Sequence, residues 1–181
     1  MTLTATAAVS QAVMLCDVDG VLANFAELLM KVLYRPIEDA ETITEYDLQK
    51  TLSPEEHERI VRLLEMPIAP LAMAPHDDAL RFVQAARAQN IQVLAMTSCP
   101  LPWVASRTQW LAECFDFHSD EILFIPRDLK KLVRGDMLVE DHLPTVAEWI
   151  DLNPKGSALL VDRPWNRSAT LPPRTRRISL S

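Results

Sequence analysis

The feature that most limits how this chain can fold is the pair Asp17 and Asp19, set at the end of an apolar run over 12–16 and followed by Gly20 and a second apolar segment, V-L-A-N-F. On an extended backbone, residues two apart point to the same side. The two carboxylates therefore converge just beyond the end of a strand, and Gly20 has the φ freedom to turn the chain away. A bare D-x-D can also be an acidic turn, but the buried-strand run before it and the G-V-L after it argue against that reading.

Downstream the pattern repeats. Apolar strands are expected over 91–96, 122–125, 137–139 and 158–161, with an edge strand over 177–180, and helices over 23–32, 53–65, 77–90, 102–114 and 145–152. The second helix carries its own start signal, S-P-E-E from Ser53, which combines a cap, a proline in the first turn and early acid. Strands alternating with helices specify a parallel sheet covered on both faces, and ligands in such sheets sit beyond the carboxyl ends of the strands. Three polar clusters follow directly on apolar strands: Asp17/Asp19, Thr97/Ser98 and Glu140/Asp141. They are expected to meet at one sheet edge although more than a hundred residues separate the first from the last.

That meeting suits phosphoryl transfer, in which catalysis rests on positioning and charge. One carboxylate can take the phosphoryl group and a second can move protons. Mg²⁺ favours carboxylate oxygens together with water and substrate phosphate. Thr97 reads either as a phosphoryl donor or as a cap for the helix that follows.

Composition narrows the class. A net charge of −7 opposes a general nucleic-acid surface. No apolar run approaches the roughly 20 residues of a bilayer-spanning helix. The 181 residues suffice for one domain with a small insertion. The three cysteines, Cys16, Cys99 and Cys114, suit reduced thiols in a cytoplasmic protein. Residues 1–11, rich in Thr and Ala, read as a flexible leader.

The segment D-V-D-G-V-L-A-N-F resembles the first motif of the haloacid dehalogenase-like hydrolases, in the version found in the 5'(3')-deoxyribonucleotidases of cytosolic type C. The likeness extends to M-T-S at 96–98, R-x-x-W from Arg107 to Trp110, V-R-G-D-M-L-V-E-D at 133–141, D-R-P-W-N-R at 162–167 and L-P-P-R-T-R-R at 171–177. It implies an α/β, three-layer Rossmann-like core over 12–24 and 75–181, with a small helical cap over 25–74 inserted after the first strand. It also implies a Mg²⁺-dependent phosphatase acting on nucleoside 5'-monophosphates, deoxyribonucleotides foremost; composition predicts neither a membrane nor a nucleic-acid polymer as partner, and monomer and homodimer both stay open. The alternatives are another small phosphate ester as substrate, a non-catalytic phosphate-binding protein on the same fold, or a phosphotransferase that passes the phosphoryl group to an alcohol other than water.

By the same resemblance Asp17 is the nucleophile and Asp19 the general acid and base. Asp17, Asp141 and the main-chain carbonyl of Asp19 hold the metal, while Thr97, Ser98, Lys130, Phe25 and Arg107 contact phosphate or substrate. R-D-L-K-K departs from the family's R-D-K, so Lys130 and Lys131 both stay open. Glu140 replaces an aspartate of the family pair. The segment M-P-I-A-P-L-A-M at 66–73 lacks aromatics, which suggests aliphatic contact with the base from Ile68 and Leu71. Trp103 and Trp149 are candidates for an interface or for the core.

Overall fold

The structure, a computed structural model, describes residues 11–46 and 52–180. The expected leader falls outside them except for its last residue.

Among the described residues six strands form one parallel sheet: β1 (Val13–Asp17), β2 (Gln92–Thr97), β3 (Ile122–Phe124), β4 (Met137–Glu140), β5 (Ser157–Val161) and β6 (Thr175–Ile178). Their spatial order is β3-β2-β1-β4-β5-β6. The order reverses between β1 and β4, which places the topological switch point at the acid-bearing end of β1. Register is close on both sides of β1, with Asp17 opposite Met96 of β2 and Cys16 opposite Val139 of β4.

Alternation along the strands builds two cores. Met14 and Cys16 of β1, with Val93 and Ala95 of β2, pack beneath α3 (Ala79–Ala88) and α4 (Val104–Phe115). On the opposite face Leu15, Met96, Leu138 and Leu160 pack against α5 (Leu143–Leu152) through Val146, Trp149 and Ile150. The layering is thus helix, sheet, helix. Trp103 and Trp149 both belong to the core, each at most 1% exposed.

Between β1 and α3 the described chain holds only helical elements. These are α1 (Phe25–Leu33), α2 (Pro54–Glu65) and two 3₁₀ turns, Ile37–Thr42 and Ala69–Ala72. Asn24 caps α1 by accepting from the Glu27 amide. Ser53 and Glu56 form the reciprocal capping box expected of S-P-E-E. The segment enters and leaves side by side: the Asn24 amide donates to Ala74 O at 2.8 Å, the His76 amide to Leu22 O at 2.9 Å, and Ala23 bridges Pro75. Ile68 and Leu71, suggested as base contacts, are 66% and 41% exposed and do not line the cavity described below. Cys16, Cys99 and Cys114 are free thiols.

Candidate active site

β1 ends by burying Asp17, and the turn that follows is fixed by Gly20 at φ +79°. Any side chain at residue 20 would run into the Asp141 carboxylate, so the glycine is what lets the β1 and β4 ends close on each other. Asp17 Oδ1 accepts from the Val18 amide at 2.7 Å and faces Lys130 Nζ at 2.6 Å. Lys130 comes from the 3₁₀ turn Arg127–Leu132, and its ammonium also reaches Glu140 Oε2 at 3.3 Å. Lys131 points outward to Glu148, at 3.0 Å. The ambiguity between the two lysines is settled for position: Lys130 alone is buried with the acids.

Glu140 closes β4, and its Oε1 accepts from the Asp141 and His142 amides, each at 3.3 Å. It thereby orders the turn that carries Asp141. One oxygen from each of Asp17, Glu140 and Asp141 falls within 4.8 Å of the others, and all three side chains are buried. The Asp19 carboxylate stands apart from this cluster and turns toward Arg107. Asp141 is further anchored through its carbonyl, which accepts from Asn166 Nδ2 at 2.8 Å and Trp165 Nε1 at 3.3 Å. Arg163 Nε donates to the Gly20 carbonyl at 2.8 Å. The loop after β5 therefore clasps both acid-bearing turns.

The electrostatics follow from burial. Burial, then the charge of Glu140, raises Asp17 well above the usual carboxylate range despite Lys130. Burial and Asp17 push Asp141 up to about 7, and burial raises Glu140 as well. Burial opposes the Lys130 charge, but Asp17 and Glu140 outweigh it and hold the ammonium above its ordinary value. With every group ionised, three carboxylates against one ammonium leave two uncompensated negative charges, the charge of one divalent cation. Asp141 Oδ1 is buried without a hydrogen-bond partner among the described residues. An all-oxygen donor set of this kind, with an unpaired buried carboxylate oxygen, fits a hard cation such as Mg²⁺.

Asp17, Asp19, Lys130 and Asp141 line the head of a cavity of about 810 Å³, with Glu140 outside its wall. Thr97, at the end of β2, lines it with a buried hydroxyl that has no partner among the described residues. Ser98 also lines it, its hydroxyl donating to Ile125 O at 2.6 Å. Phe25 stands on the wall and meets Trp103 edge-on at 6.2 Å. Beyond it the wall is aliphatic, with Leu29, Ile43, Leu52, Ile60 and Leu64 from the inserted segment. Arg107, expected to contact phosphate or substrate, does not line the cavity, and neither do Ile68 and Leu71. Arg107 is fully buried on α4, and its Nη2 lies 2.7 Å from Asp19 Oδ1.

Tyr46, Arg127 and Trp165 also line the cavity. Tyr46 lies on His142 with ring centroids 4.1 Å apart, meets Trp165 edge-on at 6.1 Å and sits 5.7 Å beneath the Arg127 guanidinium. Burial, then the charges of Asp141, Asp17 and Glu140, raises its phenol. No spacing rule links Tyr46 to residues 142 and 165, so sequence reading had no means of placing it there.

Comparison with known proteins agrees with this architecture. A haloacid dehalogenase-family hydrolase from Deinococcus radiodurans R1, with bound phosphate and sodium, superposes with a TM-score of 0.57 at 13% identity, covering 94% of this chain and 91% of that one. CbbY from Rhodobacter sphaeroides in complex with phosphate gives 0.54 at 16% identity, with 93% and 94% covered. A phospho-aspartyl intermediate analogue of phosphoserine phosphatase gives 0.53 at 12%, with 84% and 87% covered. No curated protein matches the sequence. The family model described as "5' nucleotidase, deoxy (Pyrimidine), cytosolic type C protein" matches residues 11–176. With nearly the whole chain under that match and the sheet, switch point and acid cluster in place, the protein belongs to this nucleotidase family, phosphoric monoester hydrolases on the haloacid dehalogenase-like fold.

Proposed function

We propose that the chain hydrolyses nucleoside 5'-monophosphates, deoxyribonucleotides foremost, through an aspartyl-phosphate on Asp17. The observation that supports this most is the buried Asp17, Glu140 and Asp141 cluster pinned by Lys130 at the head of a cavity large enough for a nucleotide. Residues 25–74 act as a cap over a core of 12–24 and 75–181, in a cytoplasmic monomer or homodimer. No helix among the described residues is long and apolar enough to cross a membrane.

Asp17, Asp141 and the Asp19 carbonyl, with Glu140 beside them, would hold a Mg²⁺ ion, which would supply the positive charge that lets an anionic phosphoryl group approach a carboxylate. Lys130 and the Val18 amide fix the Asp17 carboxylate by holding Oδ1. Asp17 attacks phosphorus as the bond from phosphorus to the ester oxygen breaks, and Asp19 gives its proton to the departing alkoxide. Asp19 then takes a proton from water, whose oxygen attacks phosphorus and returns Asp17 as a carboxylate. The unpartnered Thr97 hydroxyl donates to a phosphoryl oxygen, assisted by Ser98. Phe25 packs on the base.

Phosphate release from a panel of deoxy- and ribonucleoside monophosphates and sugar phosphates, with and without Mg²⁺, tests this reading. Loss of turnover in Asp17→Asn and trapping of the wild-type protein by beryllofluoride are expected. Absence of any nucleotide turnover would overturn the substrate assignment. A second reading, the same chemistry on a different small phosphate ester, is favoured by the aliphatic wall from Leu29 to Leu64 and would show as turnover confined to non-nucleotide esters.

A further inference from the structure

We propose that Arg107 is a positioning residue for Asp19 and acts on the reaction through that carboxylate without touching the phosphoryl group. The inference rests on the reading of Asp19 as the proton carrier. Arg107 has no exposed surface and is absent from the cavity wall, so it cannot meet a substrate bound there. Its guanidinium lies 5.6 Å from the Trp103 ring centroid and 5.9 Å from that of Trp110, on the helix side of the site. Nε and Nη1 have no hydrogen-bond partner among the described residues. Among the described residues the charge therefore has one ion pair, with Asp19 Oδ1 at 2.7 Å, and the Trp103 and Trp110 faces stand near it.

This arrangement has a direction. Arg107 is sealed while Asp19 keeps 29% of its side chain exposed and lines the cavity. The guanidinium thus reaches Asp19 from behind and leaves its open side to the substrate. With Oδ1 tied, the second carboxylate oxygen is the one left to hand a proton to the ester oxygen and later to take one from water. A planar guanidinium suits this use because it keeps its charge when buried and stacks on indole, whereas an ammonium is compact and strongly hydrated.

The test compares leaving groups. An alkoxide needs a proton as the bond to phosphorus breaks, whereas p-nitrophenolate departs without one. First turnovers are measured by rapid mixing with saturating Mg²⁺, using p-nitrophenyl phosphate and a deoxynucleoside 5'-monophosphate, or whichever alkyl phosphate the wild-type protein turns over. In Arg107→Met the first turnover of the alkyl ester is expected to slow by roughly 10²-fold while that of p-nitrophenyl phosphate changes by less than about threefold. A burst of nitrophenolate follows, because loss of the acyl-phosphate still requires Asp19. Arg107→Lys, which keeps a cation and guards against loss of fold in the first variant, should fall between Arg107→Met and wild type.

Equal slowing of both substrates would make Arg107 a merely structural residue and overturn the proposal, as would no slowing of either. Asp19→Asn, run on the same pair, separates the two levels of the argument. If it shows the leaving-group effect and the Arg107 variants do not, the inference fails alone. If it shows none, the role of Asp19 fails and takes the inference with it.

Discussion

The Lys130 ammonium lies 2.6 Å from the Asp17 carboxylate, and both side chains are closed off from solvent. Removing one member of a buried ion pair strands the other, at a cost of about 3–5 kcal/mol. Lys130→Met leaves Asp17, Glu140 and Asp141 unopposed, so urea denaturation of the metal-free variant at pH 8 should show a loss of that order. On the proposed reading of Lys130 as a fixed cation at the phosphoryl group, the variant's kcat should fall by roughly 10²-fold or more. Lys131→Met breaks only the outer pair with Glu148 and should shift stability by less than about 0.5 kcal/mol. Equal effects from the two lysines would contradict the assignment.

If the acid cluster holds Mg²⁺ as proposed, metal and proton compete for it. The Asp141 carboxyl is raised by burial and by Asp17 from 3.8 to about 7. A folded-state value above the ordinary one means that its contribution to stability is complete below pH 3.8 and is lost as pH rises through about 7. Bound Mg²⁺ relieves the same repulsion, and most strongly where the carboxylates are ionised. At a hundredfold excess over Kd, binding contributes about 2.7 kcal/mol, or roughly 5–10 °C in Tm for a domain of this size. Thermal scans with Mg²⁺ and with a chelator should show that shift at pH 8 and less than half of it at pH 5. A shift independent of pH would refute the coupling.

Gly20→Ala tests the closure of the two acid-bearing turns. A methyl group there meets the Asp141 carboxylate, and φ of +79° strains any side-chain-bearing residue. Backbone strain of this kind costs about 1–3 kcal/mol. Displacing Asp141 should also raise the Mg²⁺ concentration for half-maximal activity by roughly 10–100-fold. A metal titration of activity beside a Tm measurement separates the two effects, and an unchanged metal requirement would show that Asp141 does not bear on the ion.

Phe25 stands on the cavity wall but also packs against Trp103. If it holds the base, Phe25→Ala should raise KM for nucleotides roughly tenfold, since stacking of a base on an aromatic ring is worth about 1–3 kcal/mol. Inhibition by inorganic phosphate, which engages only the head of the cavity, should stay as in wild type. An unchanged KM would assign Phe25 to packing alone.

The sheet was legible because its signal is local: each apolar run with a polar end became a strand within one or two residues of its expected bounds. β6 shifted furthest, from 177–180 to Thr175–Ile178, because its pairing of Thr175 with Ala158 depends on β5 and leaves no mark on a basic, proline-rich segment. The first helix begins at Phe25 and not at residue 23, since Ala23 is held in bridges to Asp19 and Pro75. Within the site, R-D-L-K-K left Lys130 and Lys131 both open, because the burial of Lys130 against Asp17 follows from a 3₁₀ turn that periodicity does not reveal. Arg107 could be picked out by its spacing to Trp110, yet the direction of its guanidinium is set by Trp103, Trp110 and Asp19 together. Glu140 joins the acid cluster, and Tyr46 reaches His142 and Trp165, through contacts that exist only once the chain is folded.

The paired hydrogen bonds at Asn24 and His76, with the Ala23 to Pro75 bridge between them, tie the two ends of the segment between β1 and α3 into a single pin anchored beside the turn after β1. Everything strung from that pin can be lengthened, shortened or recoloured with greasy or stacking residues while the strands beneath keep their alignment. On the proposed reading of residues 25–74 as a cap, selectivity for the alcohol half of an ester and the machinery for its phosphorus would be free to drift at separate rates in one small chain.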